Sequence, residues 1–187
     1  MLQIRWHGRG GQGVVTAARL LGRAAAVYGG KFAQSFPSFG TERRGAPVTA
    51  FTRLAEGVIR DRSQIYRPDW VVVLDSSLLG NQDVWQGLGP GGSALVNAPR
   101  GLAVSPPPGV NLYCLDAAGM AREISGHLPV NTAMVGALAG LTGWVKLEAV
   151  QGATADLLSP SVVEQNLRLV EASFRWGEKI RKGGRKE

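Results

Sequence analysis

Cysteine is nearly absent from this chain. Its 187 residues include a single cysteine, Cys114, so no intramolecular disulfide can form. The chain has no Cys-x-x-Cys pair, which excludes the usual thiolate sites for zinc and for iron–sulfur clusters. Cys114 lies in an apolar segment that predicts a strand, and we expect its side chain to be a small buried hydrophobe.

The residues that usually carry out catalysis are also scarce. The two histidines, His7 and His127, are not part of an Asp, Glu and Cys cluster that would suggest a metal site, so we predict structural roles for both. The sequence contains no Gly-x-Ser-x-Gly nucleophile elbow and no paired-carboxylate pattern. It also lacks the Gly-Asp-Gly segment, followed by an Asn pair, that is typical of thiamine diphosphate sites. We therefore predict no catalytic residue and no metal ligand here, and interpret the chain as part of a larger enzyme.

Long hydrophobic runs are missing. The longest uncharged stretch, residues 124–145, is partly polar, and its continuous apolar part, residues 133–141, is too short to span a bilayer. The N-terminal segment has basic residues and glycines where a signal peptide has an apolar core. We expect a cytoplasmic protein that does not contact a membrane.

Acidic residues are absent from the beginning of the chain. The first carboxylate is Glu42, whereas residues 1–44 carry seven basic groups, and the whole chain has a net charge of +7. This segregation predicts an anionic ligand or an acidic partner near the N-terminal segment. We predict one domain over residues 1–180, followed by a basic tail over residues 181–187.

The order of predicted elements indicates an α/β fold, with a single open and mostly parallel sheet flanked by helices in a Rossmann-like arrangement. One continuous β-branched run, residues 70–74, is typical of a strand that is buried on both faces. Gly136 and Gly140 predict a close helix contact, either with another subunit or within the core of this chain. The other predicted strands are 2–6, 31–35, 47–54 with 57–60 as its hairpin partner, 93–97 and 110–115, and the predicted helices are 16–28, 117–125, 131–145 and 160–179.

A glycine-rich loop between the first strand and the first helix is the main candidate site. Gly8, Gly10 and Gly13 fit the Gly-x-Gly-x-x-Gly dinucleotide pattern, in which the backbone approaches an anion at a helix N-terminus. However, no acid follows the second strand to hold a ribose, and no Gly-Lys-Ser/Thr marks a P-loop. Three interpretations stay open: an NAD(P) or FAD site, a turn that only packs helix against strand, and a loop that contacts another phosphate or a partner. The basic charge also raises a nucleic-acid-binding module as an alternative.

Two segments together resemble the gamma subunit of pyruvate:ferredoxin oxidoreductase and the wider 2-oxoacid:acceptor oxidoreductase family. They are WHGRGGQGVVTAARLLGRAAA, residues 6–26, and QSFPSFGTERRGAPVTAFTRL, residues 34–54. Two later segments, PDWVVVLD at 68–75 and LVNAP at 95–99, lie in the family's order, as does Asn131 before a helix of small residues. The second segment favours the pyruvate or branched-chain type.

This resemblance implies a subunit of a hetero-oligomeric enzyme that converts a 2-oxoacid and CoA to acyl-CoA, CO2 and reduced ferredoxin. It implies that thiamine diphosphate and [4Fe–4S] clusters lie on partner subunits, namely thiamine-binding alpha and beta chains and a ferredoxin-like delta chain. The chain alone would be inactive and would contribute to CoA binding and assembly, and its self-association is a further expectation. Partners from the nucleic-acid and membrane classes are not expected. The residues that the resemblance assigns to CoA are Gly10, Gly11, Gln12, Gly13, Arg43, Arg44 and Asn131.

Overall fold

A computed structural model describes residues 1–38, 45–99, 101–126 and 129–183 of the chain. The six strands are β1 (Leu2–Arg9), β2 (Phe32–Pro37), β3 (Pro47–Ala55), β4 (Trp70–Val73), β5 (Ser93–Asn97) and β6 (Asn111–Leu115). The helices are α1 (Val14–Arg23), which continues as a π-helical turn over Ala24–Tyr28, then α2 (Gln82–Trp85), α3 (Ala117–Ser125), α4 (Asn131–Thr142), α5 (Leu147–Leu157) and α6 (Pro160–Gly183). A 3-10 turn, Ser76–Leu78, precedes α2.

The strands form one sheet in the order β2-β3-β1-β4-β5-β6. Strands β1, β4, β5 and β6 run parallel, whereas β3 is antiparallel to β1 and β2 is antiparallel to β3. The predicted α/β fold on an open, mostly parallel sheet is therefore confirmed. The topology brings the carboxyl ends of the four parallel strands to one edge, where ligands bind in sheets of this kind.

The two faces of the sheet are covered differently. Leu2, Ile4 and Trp6 of β1 alternate toward a large core shared with α1, α3, α4, α5 and α6. On the other face, β4 and β5 pack against a smaller cluster that includes Leu78, Val84 and Leu88 from the 3-10 turn and the α2 region. Because the long helices all join the first core, the second face depends on short elements and loops. No helix within the described ranges is both long and apolar enough to cross a membrane.

The seam between α4 and α6 explains the small residues of α4. A Cβ added at Gly136 would overlap Ser173, and one added at Gly140 would overlap the carbonyl oxygen of Phe174. Gly177 of α6 approaches the backbone of α4 in the same way. The sequence left two interpretations of Gly136 and Gly140 open, and the structure shows packing within the chain.

Two expectations from the sequence were wrong, and one helix was missed. Residues 57–60 form no strand, because β2 and β1 already occupy both edges of β3. Helix α5 was not predicted, although Leu147, Val150 and Ala153 form its buried stripe. Cys114 is exposed rather than buried, because β6 is an edge strand and the face to which Cys114 points carries no long helix. In addition, α6 continues to Gly183 and so includes the first part of the predicted tail.

Candidate functional site

The glycine-rich loop joins the carboxyl end of β1 to the N-terminus of α1. Gly11 and Gly13 have φ values of 93° and 76°, a left-handed conformation that side chains disfavour. Gly13 is the N-cap of α1, and no side chain caps this helix. The Ala17 amide donates to the Gly13 carbonyl, whereas the amides of Val14, Val15 and Thr16 have no acceptor in the part of the chain that the structure describes. The loop thus presents free N–H groups and the positive end of a helix dipole.

Helix α4 brings Asn131 against this loop. A Cβ added at Gly13 would lie only 2.5 Å from Asn131 Nδ2, so only glycine allows the approach. Asn131 is 7% exposed, and its Oδ1 accepts a 2.9 Å hydrogen bond from the Thr132 amide. Like α1, α4 has no side-chain cap at its N-cap residue, Val130. Two helix N-termini whose N-cap residues provide no side-chain cap therefore converge at the Gly13–Asn131 contact.

Gln12 is fixed by hydrogen bonds within the chain. Its Oε1 accepts from the Arg9 amide at 2.7 Å, and its Nε2 donates to Asp75 Oδ2 at 2.8 Å. Asp75 follows β4, so the Gln12 side chain connects the glycine-rich loop to the neighbouring parallel strand. The Gln12 side chain thus stabilises the loop and is not free to bind a ligand. The backbone of the loop, rather than its side chains, lies at the N-terminus of α1.

Arg43 and Arg44 lie outside the described residues, but the ends of their segment are visible. The Gly10 amide donates to the Ala46 carbonyl at 2.9 Å, and the Gly45 amide donates to the Gly10 carbonyl at 3.2 Å. Arg9 Nη1 also donates to the Gly45 carbonyl at 3.1 Å. Gly45 and Ala46, which follow Arg43 and Arg44 in the sequence, therefore lie directly beside the glycine-rich loop.

Three polar residues of this site were not predicted from the sequence: Arg9, Asp75 and Ser77. Arg9 Nη2 donates to Ser77 Oγ at 2.8 Å, and Arg9 Nε lies 3.2 Å from Asp75 Oδ2. Burial acts to raise the pKa of Asp75, but hydrogen bonds from Ser77 and Gln12 and the Arg9 charge outweigh it and lower that pKa overall. The position of Asp75 at the carboxyl end of a buried strand was a signal that could have found it.

Asp75 has consequences for the choice of ligand. Among the described residues, Asp75 is the carboxylate that lies at this site. Its oxygens already bind Gln12, Ser77 and Arg9. It is therefore not free to hold ribose hydroxyls, as the acid of an NAD site does. The Arg9 and Asp75 charges offset each other, so free amides and two helix N-termini leave a site with positive potential, which suits a phosphate-bearing ligand.

His7 lies near this site but does not act as a titrating group at neutral pH. Its Nε2 accepts a 2.9 Å hydrogen bond from Arg5 Nε. Burial, followed by the Arg5 charge, lowers the pKa of His7 from 6.5 to about 3. The histidine is thus neutral and structural, as predicted. Within the described ranges, no group of three His, Cys, Asp or Glu residues could hold a metal ion.

Fold and site together define an α/β domain with a glycine-rich loop and two helix N-termini at the carboxyl edge of its sheet. The model of the pyruvate ferredoxin/flavodoxin oxidoreductase family matches residues 3–176, and the chain belongs to this family. It is a subunit of an oxidoreductase that acts on pyruvate or a related 2-oxoacid with ferredoxin. The family resemblance stated from the sequence is confirmed, and neither alternative, an NAD(P)-binding oxidoreductase or a nucleic-acid-binding module, finds support.

Curated relatives match over almost their whole length. The chain is 46% identical over 184 residues to pyruvate synthase subunit PorC of Methanocaldococcus jannaschii, covering 98% of this chain and 100% of the relative. It is 50% identical over 179 residues to the pyruvate/ketoisovalerate oxidoreductases common subunit gamma of Thermococcus kodakarensis, covering 93% and 96%.

Solved structures show the same fold. The pyruvate oxidoreductase subunit PORC of Thermotoga maritima superposes with a TM-score of 0.79 at 33% identity, over 93% of this chain and 95% of that one. The 2-oxoglutarate:ferredoxin oxidoreductase of Magnetococcus marinus, solved with 2-oxoglutarate, coenzyme A and succinyl-CoA bound, has a TM-score of 0.78 at 21% identity. All of this chain aligns to 32% of that longer chain, a likeness of fold alone.

Proposed function

We propose that this subunit holds CoA for the oxidative decarboxylation of a 2-oxoacid, with pyruvate as the first substrate to test. The observation that carries the proposal is the convergence of the α1 and α4 N-termini at Gly13 and Asn131. The Magnetococcus marinus structure supports the choice of ligand, because that protein has coenzyme A bound.

The chemistry of CoA fits this site in charge and in number of phosphates. CoA carries a diphosphate and a separate 3′-phosphate, so it needs several donors spread over a few ångströms. Backbone amides of Gly10–Gly13 and of the first turn of α1 suit the diphosphate, and the Asn131 amide lies beside them. Arg43 and Arg44, which come directly before Gly45 in the sequence, supply guanidinium groups whose planar fork matches a phosphate.

In this proposal the chain contributes binding and assembly but no catalytic residue. Partner subunits carry thiamine diphosphate, which supplies the carbanion chemistry of decarboxylation, and the [4Fe–4S] clusters that pass electrons to ferredoxin. We assign those roles to thiamine-binding alpha and beta chains and a ferredoxin-like delta chain. CoA held here accepts the acyl group, and acyl-CoA leaves.

The test is the substitution Asn131→Asp in the reassembled enzyme. A carboxylate beside Gly13 repels the CoA diphosphate, so we expect the KM for CoA to rise about 10- to 100-fold. The KM for the 2-oxoacid, and the decarboxylation half-reaction without CoA, should stay nearly unchanged.

The matched control is Asn81→Asp. Asn81 is the exposed N-cap of α2, where its Oδ1 accepts from the Asp83 amide, and aspartate caps a helix equally well. It adds the same charge outside the Gly13–Asn131 contact and should leave the KM for CoA as in the wild type. An unchanged KM for CoA in correctly assembled Asn131→Asp enzyme would refute the proposal.

A further inference from the structure

The loop from β3 to β4 covers the part of the second sheet face that no helix covers. Ile65 anchors it, since this side chain is 2% exposed. Arg53 of β3 is 1% exposed, and its Nη2 donates to Asp61 Oδ2 at 3.3 Å and to Ser63 Oγ at 3.4 Å. Arg53 also lies over the Phe36 ring of β2, at 5.6 Å from the centroid. The inner side of this loop is thus fixed to the sheet.

The outer side of the same loop carries large apolar and cationic side chains. Val58 and Tyr66 are each 69% exposed, which is high for residues of this size. Arg60, Arg62 and Arg67 are exposed as well. Val58 and Arg60 also line a shallow groove of about 420 Å³ beside Met1 and the end of β3. We call residues 57–67 the arginine loop.

The arginine loop has an excess of unpaired positive charge on its exposed side. Asp61, the acid of the loop, pairs with Arg53 on the inner side, and the adjacent Glu56 pairs with Lys31. Within the described part of the chain, no carboxylate pairs with Arg60, Arg62 or Arg67. Both acids are exposed, but each is already paired with a cation, whereas the three exposed arginines carry unpaired charge.

We propose that the arginine loop is the docking surface for another subunit of the same oxidoreductase, through a partner surface with carboxylates around an apolar centre. Tyrosine and arginine are the side chains that most often dominate the energy of protein interfaces. Because the loop is already fixed by Ile65 and Arg53, little conformational entropy is lost on docking. This inference rests on the proposed function, which makes the chain one subunit of a larger assembly.

Charge argues against a second copy of this chain as the occupant. A two-fold interface places the same patch on both sides, and here that would bring three unpaired arginines against three others. An acidic partner gains attraction at the same positions, which also steers association at low ionic strength.

The experiment measures binding of the full-length chain to the assembly of the remaining subunits. The chain is immobilised, and its affinity is determined by biolayer interferometry at about 50 mM and 300 mM salt, where screening differs. We expect the Arg60→Glu, Arg62→Glu, Arg67→Glu triple variant to bind about 100-fold more weakly and to lose most of the wild-type salt dependence. Tyr66→Ala should bind about 10-fold more weakly but keep the salt dependence.

A matched triple variant controls for total charge. Arg168→Glu, Arg175→Glu and Lys179→Glu reverse three exposed charges on α6 and change the net charge by the same amount. This control should bind like the wild type. Circular dichroism of each variant checks that the fold is retained, and Tyr66→Ala keeps the test valid if the charge reversal unfolds the chain.

Several outcomes contradict the inference. Wild-type affinity in the arginine-loop variant, or an equal loss in both triple variants, would overturn it while leaving the proposed function intact. So would a loss of self-association or of DNA binding, with subunit binding unchanged. If the wild-type chain fails to bind the remaining subunits at all, the assembly role in the proposed function fails too.

Discussion

At the scale of single residues, the contact between Gly13 and Asn131 holds the candidate site together. Gly13 needs a positive φ of 76°, and its missing side chain makes room for the Asn131 amide at the start of α4. Gly11 has a similar φ of 93°, but among the described residues no atom lies within 4 Å of an added Cβ. A side chain at Gly11 would therefore cause backbone strain alone, whereas a side chain at Gly13 would cause both backbone strain and overlap with Asn131.

We therefore predict different costs for alanine at these two positions. Gly11→Ala should lower the free energy of unfolding by about 1 kcal/mol, from backbone strain alone. Gly13→Ala should cost about 2–3 kcal/mol, because overlap with Asn131 adds to the strain. The check is urea unfolding of the two variants, of Asn131→Ala and of Gly13→Ala combined with Asn131→Ala. Strict additivity of Gly13→Ala and Asn131→Ala would show that the two residues do not collide.

A second residue-scale effect comes from His7. Its folded pKa of about 3 lies far below the usual 6.5, so the unfolded chain binds an extra proton between these values. The stability linked to neutral His7 is therefore fully present above pH 6.5 and is lost as the pH falls below it. The loss should be about 1.4 kcal/mol per pH unit.

We predict that His7→Gln reduces this pH dependence. The Gln oxygen retains an acceptor for the Arg5 Nε donor but cannot be protonated in this range. Urea unfolding at pH 7 and pH 5 should show a stability loss in the wild type that is about 2 kcal/mol larger than in His7→Gln. Parallel pH profiles for the two proteins would mean that His7 can be protonated in the folded state.

At the scale of elements, the position of α6 depends on glycines that let its backbone approach α4. At Gly140, helix propensity and packing have opposite effects on the stability of an alanine variant. Alanine is a better helix former than glycine by about 1 kcal/mol, but at Gly140 its Cβ would overlap the Phe174 carbonyl oxygen.

We predict that packing outweighs propensity here, so Gly140→Ala should destabilise the protein by about 1–3 kcal/mol. The control is Gly183→Ala, also within a helix, where no atom lies within 4 Å of the added Cβ. That variant should lie within about 0.5 kcal/mol of the wild type. Thermal unfolding by calorimetry distinguishes the two variants. Equal melting temperatures would show that close packing between α4 and α6 does not require glycine at position 140.

At the scale of the whole molecule, we expect the isolated chain to be inactive. Its one cysteine cannot supply the four thiolates that a [4Fe–4S] cluster needs. Pyruvate, CoA and methyl viologen should therefore give no turnover with this chain alone, and activity should appear when the remaining subunits are added. Turnover by the purified chain, or visible absorbance from a cluster bound to it, would contradict the assignment of redox chemistry to the partners.

What the sequence determined by itself was mostly local. The strand Ser93–Asn97 and the helix Ala117–Ser125 were predicted with their observed bounds. Such elements are specified by their own side chains: an apolar run for the strand, and for the helix an N-cap at Asp116, whose Oδ1 accepts from the Gly119 amide. The family was recognisable for a similar reason, because the two segments that carry the resemblance, residues 6–26 and 34–54, are each contiguous in the chain.

Tertiary structure alone decided which distant groups meet. Residues 57–60 have the composition of a strand, but the edge of β3 that they would need is occupied by β2. Asn131 reaches Gly13 only because α4 packs beside α1, and Arg9 and Gln12 find Asp75 only because β4 is the parallel neighbour of β1. Strand pairing and helix packing depend on all elements of the chain at once, so they cannot be predicted from a local sequence pattern.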